Sequence, residues 1–166
     1  HTAAKKANAG DEQTVKKIVL PNNETYEVTG VGYNDKGEIK PFKNSKLENI
    51  DKLVKEGLYN NEASLSYIDN SWVNFGDSMD TALLSLGYKY NLETESFKND
   101  VLGRIPYESD AGYSCAFYKE GENINISVKG TLEKILSFCT SKTDKEKIRK
   151  QNKLVMVKVL YIIVIL

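Results

Sequence analysis

The chain predicts an α+β fold, a mostly antiparallel twisted sheet of about six strands flanked by helices. Three observations carry this. Short β-rich runs bounded by turn residues lie near both ends and in the second half of the chain. Apolar residues recur at helical spacing in separate segments between them. The segments follow the order hairpin, two helices, antiparallel group, two helices and final strand.

With 166 residues the chain has the length of one domain, and 40% hydrophobic against 28% charged residues makes it globular, not disordered. Acidic and basic residues balance at 23 each, which leaves no field to hold a polyanion, so nucleic acid is excluded as a partner. Cys115 and Cys139 show no CxxC spacing and read as free thiols in a reducing compartment. The only histidine is His1, within a polar leader (1–10) that reads as an expression remnant, so residues 11–166 form the domain and histidine-based catalysis is not available.

Residues 14–20 and 25–29 are β-rich and flank Pro21-Asn22-Asn23-Glu24, a turn-forming group, and so form a hairpin. Residues 30–37 follow as a loop that lacks the third glycine and the strand-to-helix context of a dinucleotide fingerprint. Ser45 and Glu48 have capping-box spacing, and Leu47, Ile50, Val54 and Leu58 recur at helical intervals, predicting a helix over about 46–59. A mostly polar break spans about 69–75. Gly76-Asp77-Ser78 then opens a second helix, with Met79, Leu83, Leu86 and Tyr90 on one stripe and Asp80 in the first turn, where a carboxylate is favourable.

Residues 101–105, 113–118 and 123–128 read as strands, the last two joined through Lys119-Glu120-Gly121-Glu122. Leu132, Ile135, Leu136 and Cys139 trace another helix, and Thr143 and Glu146 form a second capping box before a polar one. The apolar run 154–166 is shorter than the roughly 20 residues a membrane helix needs, so the isolated chain does not span a membrane. Its β-branched content favours a buried strand that continues into another domain of a larger protein.

The most informative stretch runs from Arg104 to Glu133. Tyr107 precedes one strand, and Lys129 sits where another gives way to a helix through Gly130. That layout offers a ring for a base to stack on and an ammonium for phosphate or base edge.

Three segments carry a resemblance: Gly76-Asp-Ser-Met-Asp-Thr-Ala-Leu-Leu84, Ile105-Pro-Tyr-Glu-Ser-Asp110 and Val128-Lys-Gly-Thr-Leu-Glu133. In that order they resemble the nucleotide-binding domain of P-type cation-transporting ATPases. Val28-Thr-Gly-Val-Gly-Tyr33 with Gly37-Glu38 resembles calcium-pump-like members, and Leu58-Tyr-Asn-Asn61 is similar to the family's Cys-Asn pair with Tyr59 in place of the cysteine. The resemblance covers about 12–160.

The resemblance implies an ATP site in which Tyr107 stacks on adenine, Lys129 and Gly130 match the Lys-Gly-Ala-Pro-Glu motif, Asp80 replaces a glutamate that fixes the adenine amino group, and Lys158 falls where the family tends to place an arginine near the phosphates. It implies no catalytic residue in this chain. ATP, with Mg2+ in the intact parent, would be presented to a phosphorylation domain that works with an actuator domain, and the chain would be a cytoplasmic domain of an integral membrane protein, inactive alone. Two departures stand out. Gly112 falls where the pattern has a second pocket lysine, which weakens ATP binding, and Thr131-Leu132 replaces Ala-Pro.

Without the resemblance each residue has a plainer reading: Lys129 as a solvated charge, Asp80 as a dipole-favoured carboxylate, Tyr107 as one of 10 tyrosines. No spacing among the Asp and Glu residues selects a glycosidase pair, and Cys115 lacks a histidine to activate it. The alternative function is a degenerate domain that keeps the fold, has lost ATP, and serves as a regulatory or protein-interaction module. The transported ion is not encoded here, because its ligands belong to membrane helices.

Overall fold

The computed structural model describes residues 12–138. The leader, Cys139, the capping box at Thr143 and Glu146, the strand over 154–166 and Lys158 lie outside the described residues.

Among the described residues eight strands form three small sheets, every pairing antiparallel, where a single sheet of about six strands was expected. The first contains β1 (Lys17–Val19), β2 (Thr25–Val28) and β3 (Ile39–Pro41). The second is a hairpin of β4 (Ser64–Ile68) and β5 (Ser71–Phe75), and the third contains β6 (Val101–Ile105), β7 (Tyr113–Glu120) and β8 (Asn123–Gly130). Between them run α1 (Asp51–Tyr59), entered through a 3-10 turn at Leu47–Ile50, and α2 (Ser78–Lys89), followed by a 3-10 turn at Glu95–Asp100. A short α3 (Leu132–Phe138) follows β8.

The expected first hairpin and the three late strands are present, with β7 and β8 turning through Gly121 at φ +61°. Two expectations are corrected. The polar break at 69–75 contains β5, paired to β4 through a two-residue turn in which Asp69 and Asn70 have φ of 50° and 63°, the geometry that suits the twist of a tight hairpin. The capping box at Ser45 does not form: its hydroxyl accepts from the Thr25 amide at 2.9 Å, at the start of β2, and Lys46 caps the helical turn without a side-chain bond.

α1 and α2 pack closely because Gly87 faces Leu58, where a Cβ would come within 2.9 Å of the leucine Cδ2. Their outer stripes bury Ile50, Leu53, Val54, Leu83 and Leu86 against Tyr26 and Val28 of the first sheet. The opposite side packs Leu58, Ala82 and Leu84 with Leu65 of the hairpin. Strand alternation gives the third sheet two working faces. Ser114 and Tyr118 of β7 meet α1, while Cys115 joins Val128 and Ile135 under α3.

Candidate nucleotide site

The site is built where α1 ends and α2 begins. Gly76 takes φ +110°, and a Cβ there would lie 2.9 Å from the Ala63 Cα, so glycine lets the start of α2 lie against residue 63. Asp77 caps the helix, its Oδ1 accepting from the Met79 and Asp80 amides at 2.8 and 3.3 Å. The cap sets Asp80 in the first turn, facing β8.

There Asp80 Oδ1 forms an ion pair with Lys129 Nζ, the side chains being only 14% and 11% exposed. The lysine also donates to the Asn60 carbonyl at 2.6 Å, and Asp80 Oδ2 accepts from the Glu62 amide at 3.0 Å. Asn61 Nδ2 donates to the Gly57 and Asp80 carbonyls at 3.2 and 2.8 Å, and Asn60 Nδ2 to the Ser114 and Ser127 carbonyls at 3.1 and 3.2 Å. These two amides tie α1, α2 and the third sheet into one hub. Lys98, Arg104 and Lys129 donate respectively to the carbonyls of Ala63, Tyr59 and Asn60, so three cations gather at the negative end of α1.

Of the residues singled out in the sequence, the structure thus brings Asp80 and Lys129 into direct contact. Gly130 lies beside them for a steric reason: it pairs with Tyr113, a Cβ would stand 2.4 Å from the Gly112 carbonyl oxygen, and Thr131 N donates to that same oxygen at 2.9 Å. Gly112 itself has φ +77°, which a lysine would adopt only under strain, and the side chain of Lys134 fills the space beside it. Lys134 holds its ammonium 5.7 Å from the Tyr113 ring centroid and 5.4 Å from that of Phe138.

Tyr107 is two residues beyond Ile105, which pairs with Cys115, and Lys129 pairs with Ser114, so both stand at the same end of the third sheet. The tyrosine is 53% exposed and engages no other ring or cation among the described residues. A cleft of about 440 Å³ lies elsewhere, lined by Asp35, Glu38, Tyr88 and Lys89 among others, at the far end of α2 from Asp80. None of the described candidate residues lines it.

Lys98, Arg104, Asn60 and Lys134 were not singled out as site residues. The first three are held by backbone carbonyls, which a sequence does not display; the Asn60-Asn61 pair at the end of a helical stripe was the one available signal.

Residues 49–157 match the family described as P-type ATPase, cytoplasmic domain N, and the chain belongs to that family, whose domains in general bind ATP. It is 27% identical over 142 residues to the cation-transporting ATPase pma1 of Synechocystis sp., covering 79% of this chain and 16% of that protein. It is 28% identical over 144 residues to the human calcium-transporting ATPase type 2C member 2, covering 78% of this chain and 14% of that one. The chain therefore spans about one-sixth or less of the length of these relatives. Among the described residues no group of three or more His, Cys, Asp or Glu side chains is placed to hold a metal, and no helix is long and apolar enough to cross a membrane.

Proposed function

We propose that this chain binds ATP by its adenine at the Lys129 end of the third sheet and, as a cytoplasmic domain of a membrane-embedded cation pump, presents the γ-phosphate to a separate phosphorylation domain that works with an actuator domain. The observation that carries the reading is the Asp80–Lys129 pair, which sets a cationic donor beside an anionic acceptor at an edge to which Tyr107 offers an uncommitted ring. Gly130 shapes the turn under that edge. Mg2+ would arrive on the triphosphate, and Lys158 remains a candidate for the phosphate end. The name of one relative, a calcium-transporting ATPase, favours a calcium pump as the parent.

Stacking on Tyr107 supplies about 1–3 kcal/mol, consistent with a submillimolar to millimolar dissociation constant, or about 4–5 kcal/mol in all. The chain alone is expected to turn over no ATP. Titrating ATP while following the amide resonances of Tyr107 and Lys129 tests the reading: saturable shifts at both support it, and none at millimolar ATP overturns it. A second reading, an interaction module without nucleotide, is favoured by the internal commitment of Lys129 to Asp80 and Asn60 and by Gly112; it requires that those resonances stay still.

A further inference from the structure

Glu56 is a carboxylic acid in the core. It lies on the sheet-facing side of α1 with 3% of its surface exposed, and its Oε1 accepts from the hydroxyl of Tyr118, itself 1% exposed. Its other oxygen, Oε2, has no partner among the described residues. An ionised carboxylate in that position would lose most of its hydration for a single hydrogen bond, which is unfavourable; the neutral acid fits far better.

The residue is connected to the candidate site through one turn of helix. The Glu56 carbonyl accepts from the Asn60 amide at 3.0 Å and from Ser127 Oγ at 2.9 Å. The Asn60 side chain reaches the carbonyls of Ser114 and Ser127, and the Asn60 carbonyl holds the Lys129 ammonium. Tyr59, between the two, stacks flat on Tyr118 with ring centroids 3.7 Å apart and planes 8° from parallel.

We propose that Glu56 and Tyr118 are a proton-gated positioning pair for Lys129: with Glu56 neutral, the last turn of α1 is clamped to the third sheet and seats the lysine on the Asn60 carbonyl, and ionising Glu56 loosens that turn and weakens nucleotide binding. The binding half of this rests on the proposed ATP site; the clamp does not.

The charges that bear on Glu56 are few. From α1 itself Lys52 favours the ionised form, from β7 Glu120 opposes it, β8 contributes only the hydroxyl of Ser127, and Asp100, ending the second 3-10 turn, faces Tyr59. Burial is the largest influence and pushes the Glu56 carboxyl above its ordinary value of 4.5, against the lowering effect of the Tyr118 bond. Burial likewise pushes the Tyr118 phenol upward, so the hydroxyl stays a donor. A group whose folded value is raised contributes its stability fully below the unfolded value and loses it as pH rises through the folded one. The clamp is therefore firmest at acid pH and slackens as pH rises through the raised Glu56 value, above 4.5.

The test is a pH titration of the isotope-labelled 166-residue chain without nucleotide, following the Glu56 carboxyl, the Asn60 side-chain amide and the Lys129 ε-methylene. The expected result is that Asn60 and Lys129 move with the Glu56 midpoint, that Glu56→Gln, which keeps the shape and stays neutral, removes this step, and that Tyr118→Phe moves it to higher pH. A Lys129 signal that ignores the Glu56 midpoint, or a step that survives in Glu56→Gln, overturns the clamp. In a parallel ATP titration, affinity should fall about two- to tenfold through that midpoint in the parent chain and stay flat in Glu56→Gln. Absence of ATP binding at every pH would overturn the nucleotide reading alone and leave the clamp to be decided by the first titration.

Discussion

Lys129→Met keeps the length of the stem and deletes the ammonium. Asp80 Oδ1 then loses its ion partner and the Asn60 carbonyl loses a donor at 2.6 Å, while Asp80 Oδ2 keeps the Glu62 amide at 3.0 Å. Breaking a fully buried pair costs about 3–5 kcal/mol and an exposed one about 0–1 kcal/mol. Side chains 11% and 14% exposed stand near the buried limit, and the surviving Glu62 bond lowers the penalty on the stranded carboxylate. A loss of about 2–3 kcal/mol follows. Asp80→Asn retains one acceptor for two donors and should cost about 1–2 kcal/mol, with a coupling of about 1–2 kcal/mol when the changes are combined. Urea unfolding measures this, with an unchanged slope confirming that the same surface is exposed. A loss below about 1 kcal/mol for Lys129→Met, or additivity within about 0.5 kcal/mol, would refute the claim that this pair holds α2 to β8.

Gly130→Ala puts a Cβ 2.4 Å from the Gly112 carbonyl oxygen, a backbone atom that cannot swing away, and should lower stability by at least about 1–3 kcal/mol; an unchanged melting temperature would contradict it. Tyr107→Ala should leave folding within about 0.5 kcal/mol, because the ring is half exposed and unpartnered, yet cost about 1–3 kcal/mol of ATP affinity by calorimetry; loss of the fold instead would make the ring structural. Tyr26 is fully buried, and burial with the nearby Glu24 pushes its phenol from 10.0 up to about 12, so its contribution to stability is complete below pH 10.0 and is lost as pH rises through about 12; tyrosinate absorbance followed beside unfolding should show both changes, and Tyr26→Phe should remove them.

Elements were legible where one local rule decided them. The stripe from Leu47 to Leu58 and the Gly76-Asp77-Ser78 start gave α1 and α2, because helical spacing and an Asp cap act within a few residues. β5 was hidden because Ser71, Trp72 and Asn74 look polar or irregular in line, and the decisive signal was the pair Asp69-Asn70, able to take left-handed backbone. Ser45 misled for a related reason: its hydroxyl had a competing use at the start of β2, an amide distant in sequence. The number of sheets was not legible, since which strands share hydrogen bonds depends on tertiary placement.

For the candidate site, the resemblance singled out Asp80 and Lys129, but their mutual contact was not legible, because nothing local joins residues 49 apart. That contact changes how the lysine is understood. An ammonium has three donors, and here one goes to Asp80 and one to the Asn60 carbonyl, leaving a single N–H for a guest. Each carboxylate oxygen of Asp80 accepts one bond in the fold and retains capacity for another. A pair so arranged need not open to meet a ligand. It can offer one donor and one acceptor side by side, the complement of the acceptor and amino donor on the pairing edge of adenine, with both groups held rigid by the hub at Asn60 and Asn61. If adenine is the guest, such rigid placement would favour selectivity, because the internal bonds fix direction before the base arrives and little ordering is left to oppose binding.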